Sequence, residues 1–455
     1  MEEKLRQYIK EGDLFSTSDK LLVAVSGGVD SMVLCRLLAA HFYQFEIAHC
    51  NFQLRGQGSE LDETFVREVA EVMGVKCHVK RFDTEGCARE NKIGIQEAAR
   101  NLRYEWFEEL RQTLDFQWIV TAHHASDSIE TVLNNFTKGT GLRGMRGIQP
   151  KNGFVVRPML WATKSDIETF ARVKNVRFRA DASNDSDKYT RNFIRHQIVP
   201  NFQILNPSFE QTALENIRRF DEANQLLDCF VRQIKTQIIH LAADSVFINR
   251  KKLEIYPSVN TILYEILKDY NFNNHQVEQI LRDNDNKTKV GSKFVSSSHV
   301  LLIDRDYFIV KILEKDENTE GVLAAEMLIL GNEKEVDFGL VKFEINQSDS
   351  PPFFISKNKN IALMDFDKLT FPLTLRHWQE GDAFKPLGMN GQTQKLSDYF
   401  NQRKLNAFEK ENIWLLATAN QEICWVINHR SDERFKITSH TTRSYSISYI
   451  IKNNE

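Results

Sequence analysis

Leu21-Leu22-Val23-Ala24-Val25-Ser26-Gly27-Gly28-Val29-Asp30-Ser31-Met32-Val33-Leu34-Cys35 is the stretch whose reading decides the fold. Its first five residues are uniformly apolar, as a strand buried on both faces requires. From Met32 to Leu38 the apolar residues take helical spacing. Between the two, adjacent glycines let backbone N–H groups come close to a ligand, and the open donors and dipole of a helix N-terminus favour an anion. The hydroxyls of Ser26 and Ser31 add donors. No Gly-Lys-Ser/Thr follows, so the loop is not of the Walker type. The pattern predicts a phosphate site built from Ser26, Gly27, Gly28, Val29, Asp30 and Ser31. A bare Asp30 would repel phosphate, so either Mg²⁺ on Asp30 or hydrogen bonds from backbone must compensate, the metal being the preferred reading.

Working outward, strand and helix patterns alternate through the first 200 residues. Strands are predicted at 20–26, 45–51, 75–82 and 117–122, and helices at 29–41, 59–74, 94–114 and 126–138. Ser59 and Asp62 read as a capping box opening the second helix. This alternation implies an α/β fold with a doubly wound parallel sheet, which binds ligands beyond the carboxyl ends of its strands. Three polar clusters fall at such ends: Ser26 to Ser31, His49 to Arg55, and His123 to Asp127. They are expected to share one rim. Gly139-Thr140-Gly141-Leu142-Arg143-Gly144 matches G-x-G-x-x-G but follows a helix, so it reads as a helix stop that displays Arg143 and Arg146 near that rim.

The chain's 455 residues suggest about three domains. A 42% hydrophobic and 27% charged composition is that of an ordinary globular protein. There is no membrane-length apolar run and no signal-peptide core, so a cytoplasmic protein with no membrane partner is expected. Six scattered cysteines without a C-x-x-C argue against zinc ribbons, iron–sulfur clusters and disulfide frameworks. The net charge of −3 says little, but residues 141–200 hold twelve Lys and Arg against five Asp and Glu, a basic stripe suited to a phosphate backbone. Beyond Asn206 the pattern changes. Residues 207–240 read as helix, with Leu214, Ile217, Phe220, Leu226, Leu227, Phe230 and Ile234 as a packing stripe. Residues 285–313 read as short strands, 314–320 and 347–352 as linkers, and 412–418 and 422–428 as strands of a last unit.

Taken in order, these segments resemble the tRNA(Ile)-lysidine synthetase family of N-type ATP pyrophosphatases. The resemblance rests on SGGVDS at 26–31, AHCNFQLRG at 48–56, QEAARNLRYEWF at 96–107, TAHHASDSIETVL at 121–133 and GTGLRGMRGI at 139–148. It continues through RPML at 157–160, DASNDSDKYTRNFIRHQIVP at 181–200 and LRHWQEGDAFKPLGMNGQTQKLSDYF at 375–400. Two positions depart from the family pattern: Phe52 stands in place of a second His, and Ser126 in place of the first of two acids. The resemblance implies a catalytic domain at 1–210, a mostly helical middle domain at 211–345 and a small α+β domain at 346–455, the last two binding tRNA. It implies that ATP adenylates O2 of the wobble cytidine in the CAU anticodon of tRNA(Ile), releasing pyrophosphate. The ε-amine of free L-lysine then attacks C2, AMP leaves, and decoding moves from AUG to AUA. A homodimer is a candidate assembly, on which the sequence itself is silent.

On this reading the phosphate loop, with His49 and Asn51, holds ATP, and Arg143 clamps developing charge. Asp127 and Glu130, three apart on a helix start, pair with the lysine amine or help hold Mg²⁺; the alternative is a response to the helix dipole. His123 or His124 can assist proton transfer or be structural. Arg100 and Arg103 either bind RNA phosphate or pair with Glu97. Arg191, Asn192, Arg195 and His196 in the basic stripe, and Arg376, His377, Trp378, Lys385, Lys395, Arg403 and Lys404 near the end, are RNA candidates. Competing readings are another adenylating enzyme of the same superfamily, such as a tRNA thiolase or an amide-forming ligase, and a non-catalytic RNA-binding module. Missing cysteine pairs count against a thiolase. The intact loop and Asp127 count against a non-catalytic module.

Overall fold

The computed structural model describes residues 1–179, 190–242, 244–285, 290–313, 327–338, 341–349, 353 and 358–451. It divides into two units, Met1–Cys229 and Phe230–Glu455. The first unit opens with α1 (Glu2–Glu11), β1 (Leu21–Ala24), α2 (Val29–Ala40), β2 (Phe45–Asn51), α3 (Gln57–Met73), β3 (Cys77–Arg81), α4 (Thr84–Asn91) and α5 (Ile95–Thr113). It continues with β4 (Trp118–Val120), α6 (Ala125–Lys138), β5 (Lys151–Asn152), β6 (Val155–Val156), α7 (Lys164–Val173), α8 (Thr190–Phe193), α9 (Val199–Leu205) and the long α10 (Phe209–Ile238), whose residues from Phe230 onward are counted in the second unit.

The sheet order is β3-β2-β1-β4-β6-β5, parallel throughout except for the terminal β5–β6 pair. Strand β1 lies inside the sheet, paired to β2 and β4, and its two faces serve different cores. Leu21 and Val23 pack with Met32, Leu34 and Leu37 of α2 and Ile167 of α7. Leu22 packs on the other face with Trp106 and Phe107 of α5. Period-two alternation thus divides one apolar run between two helical layers, which is the doubly wound fold expected from the alternation.

Two local expectations are corrected. Ser59 and Asp62 form no capping box: α3 starts earlier, after Gly56 at φ +49°, and has no side-chain cap. Ser59 Oγ instead accepts from Arg55 N at 3.3 Å. In α10, Leu226 is 73% exposed and Phe230 is exposed as well, while Ile234 is buried. The helix buries Asn224 there, whose Nδ2 donates to Asp228 Oδ2 at 2.8 Å, so the stripe is not a continuous core. Helix α4 was not expected from the sequence; Asp83 caps it by accepting from Gly86 N at 2.8 Å.

The second unit begins with β7 (Ile239–Ala242), β8 (Ser245–Asn249), α11 (Arg250–Glu254), α12 (Val259–Leu267) and α13 (Asn274–Asp285). Strands β9 (Lys293–Val295), β10 (His299–Ile303) and β11 (Tyr307–Ile312) complete an antiparallel sheet ordered β7-β8-β11-β10-β9. Among the described residues the rest of the unit holds three further sheets, in which Val341–Ser348 pairs with Ser444–Ile451, Leu373–His377 with Trp414–Ala417, and Ala383–Phe384 with Gln394–Lys395. Trp425, Tyr445 and Phe343 are fully buried in its core. The linker expected at 314–320 lies outside the described residues, as do Ser350, Pro351 and Pro352 of the linker at 347–352 and Asp181–Tyr189 of the basic stripe.

Leu22 is fully buried. Leu22→Ala is expected to lower the unfolding free energy of the first unit by about 2–5 kcal/mol, read from urea denaturation followed by fluorescence. A loss below about 1 kcal/mol would contradict the two-faced packing of β1.

Candidate active site

Beyond the carboxyl ends of β1, β2 and β4 lies a cleft of about 1030 Å³. Its floor is the β1–α2 loop. Gly27 has φ +90°, and a Cβ there would stand 3.4 Å from Val66. Gly28 caps α2 without a side-chain hydrogen bond, leaving the first-turn N–H groups facing the loop. Ser31 Oγ donates to Gly28 O at 3.0 Å, and Gly27 O accepts from Arg179 N at 3.0 Å. All six predicted loop residues, Ser26 to Ser31, line the cleft.

Asp127 and Glu130, on the first turns of α6, also line it, but not as free carboxylates. Asp127 Oδ2 accepts from His124 N at 3.0 Å, and its Oδ1 lies 2.8 Å from Arg191 Nη2 and 3.6 Å from Arg195 Nη2. Glu130, only 2% exposed, accepts from Arg191 Nε at 2.7 Å and from Arg195 Nε at 2.6 Å. Residues expected to serve lysine and RNA separately therefore form one charge network. Asn192 is half-buried beside Arg191. Burial by itself would raise the Asp127 carboxyl, but the charges of His124 and Arg191 hold it below the usual carboxylate range.

Asp30 lies at the same centre. Its Oδ1 is 2.7 Å from Lys164 Nζ and 3.8 Å from His124 Nε2, which is itself 3.5 Å from Asp127 Oδ2. Lys164, the first residue of α7, had no signal in the sequence beyond its charge. Nor did Glu210, which accepts from Ser126 Oγ at 3.1 Å and so brings a carboxylate to the position where the family pattern has an acid. Both line the cleft.

His49 and Asn51, expected beside the nucleotide, do not line the cleft. Alternation along β2 turns Ala48, Cys50 and Phe52 into the cleft and their neighbours away. His49 is buried, with Nδ1 2.8 Å from Val25 O, and Asn51 Nδ2 donates to Glu63 Oε2 at 2.9 Å. Arg143 does not line the cleft; its Nη2 lies 3.1 Å from Asp228 Oδ1, and Arg146 Nε lies 2.6 Å from Asp221 Oδ1. Acids on α10 thus hold both Arg143 and Arg146.

Arg103 stands over the Phe52 ring at 5.2 Å and Arg100 over Tyr104 at 4.8 Å; neither pairs with Glu97 among the described residues. Arg103, Phe52 and Tyr104 line the cleft. Arg157 is buried behind them and interacts with Tyr104. Burial pushes the His123 imidazole down to about 4; the Asp127 charge opposes this, and the charges of Arg157, Arg191 and Arg100 add to it. His123 Nδ1 is 2.8 Å from Thr121 Oγ1.

In the second unit Arg376 is corrected as an RNA contact. It is buried and bidentate with Asp382, both oxygens at 2.8 Å, which spends its guanidinium inside the fold. Trp378 packs edge-on against Phe400 at 5.3 Å, and Arg403 lies over Tyr399 at 4.5 Å. Lys395 is exposed and Lys385 half-buried.

Because its folded pKa lies below the unfolded value, His123 contributes stability that is present above about pH 6.5. That contribution is lost as pH falls through this range toward about 4. An NMR titration should place its midpoint near 4, and His123→Gln should flatten this part of the stability–pH curve. A midpoint near the free-histidine value would overturn the buried, cation-flanked placement.

Comparison with known proteins agrees with this layout. Residues 1–202 match the PP-loop domain, 242–314 the TilS substrate-binding domain and 373–448 the TilS C-terminal domain. The chain is 40% identical over 446 residues to a tRNA(Ile)-lysidine synthase of Parabacteroides distasonis, covering 98% of this chain and 99% of that protein. It is 35% identical to the tRNA(Ile)-lysidine synthase of Bacteroides thetaiotaomicron, covering 97% and 98% of the two chains, and 33% identical to that of Porphyromonas gingivalis, covering 95% of each. Identity at this level along essentially the whole chain, with all three domains matched in order, means that the chain belongs to the tRNA(Ile)-lysidine synthase family.

Proposed function

We propose that this ATP-using ligase joins free L-lysine to C2 of the wobble cytidine in the CAU anticodon of tRNA(Ile), as a cytoplasmic enzyme. The observation that carries the proposal is the single cleft in which the phosphate loop, Asp30 and the Asp127–Glu130–Arg191–Arg195 network meet. In the first step cytidine O2 bonds to the α-phosphorus of ATP and pyrophosphate leaves with the electron pair. In the second, the lysine ε-nitrogen bonds to C2 and AMP departs with the former O2.

The loop N–H groups and the serine hydroxyls take the triphosphate. Among the described residues no three metal-binding side chains converge. A hard-oxygen site of one carboxylate plus substrate phosphates nevertheless suits Mg²⁺, and Asp30 would hold it. When bound, the ion would neutralise phosphate charge. Free lysine brings charges of both signs, and the rim offers both: Arg191, whose side chain is 44% exposed, for its carboxylate, and Asp127 for an ammonium. His123 is too weak a base to take the ammonium proton at neutral pH. The cations around it favour the neutral amine that attack requires.

Arg103 and Arg100, held on aromatic rings and with no carboxylate partner among the described residues, suit RNA phosphate or a stacked base, as do Lys385 and Lys395 in the second unit. The three-part division at 1–210, 211–345 and 346–455, the tRNA role of the last two parts, and a homodimer belong to the same proposal. Cys50 lines the cleft, but burial pushes its thiol up to about 12, which disfavours a thiolase reading.

Incubation of the protein with ATP, lysine and tRNA(Ile) bearing CAU should yield a wobble nucleoside heavier by lysine less water, read by mass spectrometry. Asp30→Ala should abolish it. An unmodified cytidine under these conditions, or product formed without lysine, would refute the assignment.

A further inference from the structure

Three independent contacts fix the start of α7, from which the Lys164 side chain reaches the phosphate loop. Thr163 and Asp166 form a capping box that fixes the start of α7, with Thr163 N donating to Asp166 Oδ2 at 3.0 Å and Asp166 N to Thr163 Oγ1 at 3.2 Å. Lys164 N donates to Ser126 Oγ at 3.3 Å, tying it to the start of α6. Ile167 and Ala171, farther along α7, pack into the same core as α2, whose first turn carries Asp30. The side chain, 36% exposed, then reaches Asp30 Oδ1 at 2.7 Å.

Three arginines near the loop already pair with other carboxylates. Arg191 and Arg195 hold Asp127 and Glu130, and Arg179 Nε holds Asp62 Oδ1 at 2.6 Å. An ammonium has three donors, and Asp30 occupies one of them. Lys164 therefore keeps donors directed into a cleft whose floor is built for an anion.

We propose that Lys164 is a ligand of the terminal phosphates of the nucleotide. Without nucleotide it neutralises Asp30. With triphosphate in the loop it donates to the β- or γ-phosphate oxygens. It remains on the pyrophosphate as the bond from the α-phosphorus to the bridging oxygen breaks and the electron pair leaves with that oxygen. No proton transfer is required. The inference rests on the assignment of Ser26–Ser31 to the phosphate chain.

Calorimetric titration of the full chain in EDTA, with the α,β-methylene analogue of ATP and separately with AMP, tests this. Four proteins are compared: wild type, Asp30→Asn, Lys164→Met and the double variant. One charge-assisted contact is worth about ten- to a hundredfold in affinity. Lys164→Met should weaken the analogue by at least about tenfold in both the wild-type and the Asp30→Asn backgrounds, and leave AMP unchanged. Lys164→Arg should restore most of the loss, and unchanged melting temperatures should show that the variants fold. Weakening in the wild-type background alone would mean that Lys164 merely screens Asp30, and would overturn the proposal. So would no weakening in either background, or equal weakening toward AMP. A wild-type chain that binds no analogue either in EDTA or with Mg²⁺ restored would overturn the loop assignment instead.

Discussion

A parallel strand buried on both faces must deliver its chain into a turn, and the helix that follows begins with backbone N–H groups that have no partner inside the protein. Strand β1 and helix α2 meet in this way, and Gly28 at the helix start offers no side-chain cap to quench those donors. The core on either side of β1 is what keeps the turn in place: Leu21 and Val23 anchor one layer and Leu22 the other. An anion site is thus a by-product of how the sheet must end. The surrounding charges are arranged around it.

Those charges nearly cancel in pairs. Lys164 answers Asp30, Arg191 and Arg195 answer Asp127 and Glu130, and Arg179 and Arg55 answer Asp62. Buried Glu130 would be costly without its arginines, because desolvation of an unpaired carboxylate outweighs most single contacts. The exception is Arg103, which lines the cleft over the Phe52 ring with no carboxylate partner among the described residues, with Arg100 over Tyr104 and buried Arg157 behind the lining. The cleft therefore has a balanced end near the phosphate loop and a cationic end near α5, which suits a small zwitterion and a polyanion side by side.

Strands β1, β2 and β4 were legible because each is a short stretch rich in apolar residues between turn signals, which admits few other structures. Helix α4 was not, being short and polar, with its stability in the Asp83 cap. The phosphate loop was legible because strand, paired glycines and helix start occupy consecutive positions. That His49 and Asn51 turn from the cleft is not legible in the cluster His49–Arg55 as a unit, because alternate residues at a strand end face opposite sides of a sheet. Arg376 was misplaced for a different reason: a cation's sign is visible in the sequence, and its partner, Asp382 six residues on, is not marked as such.

Local order in the chain carried the fold class, the nucleotide loop and the family, since each depends on residues adjacent in sequence or on motifs in fixed succession. Pairing across long separations was settled by folding. Lys164 lies 134 residues from Asp30, and Arg191 lies 61 from Glu130. Neither distance leaves any periodic or compositional trace, because an ion pair is specified by two side chains meeting in space and not by the chain between them. Which carboxylate faces a ligand and which is already neutralised is thus a property of the packed helices α6, α7 and α8, beyond the reach of the letters alone.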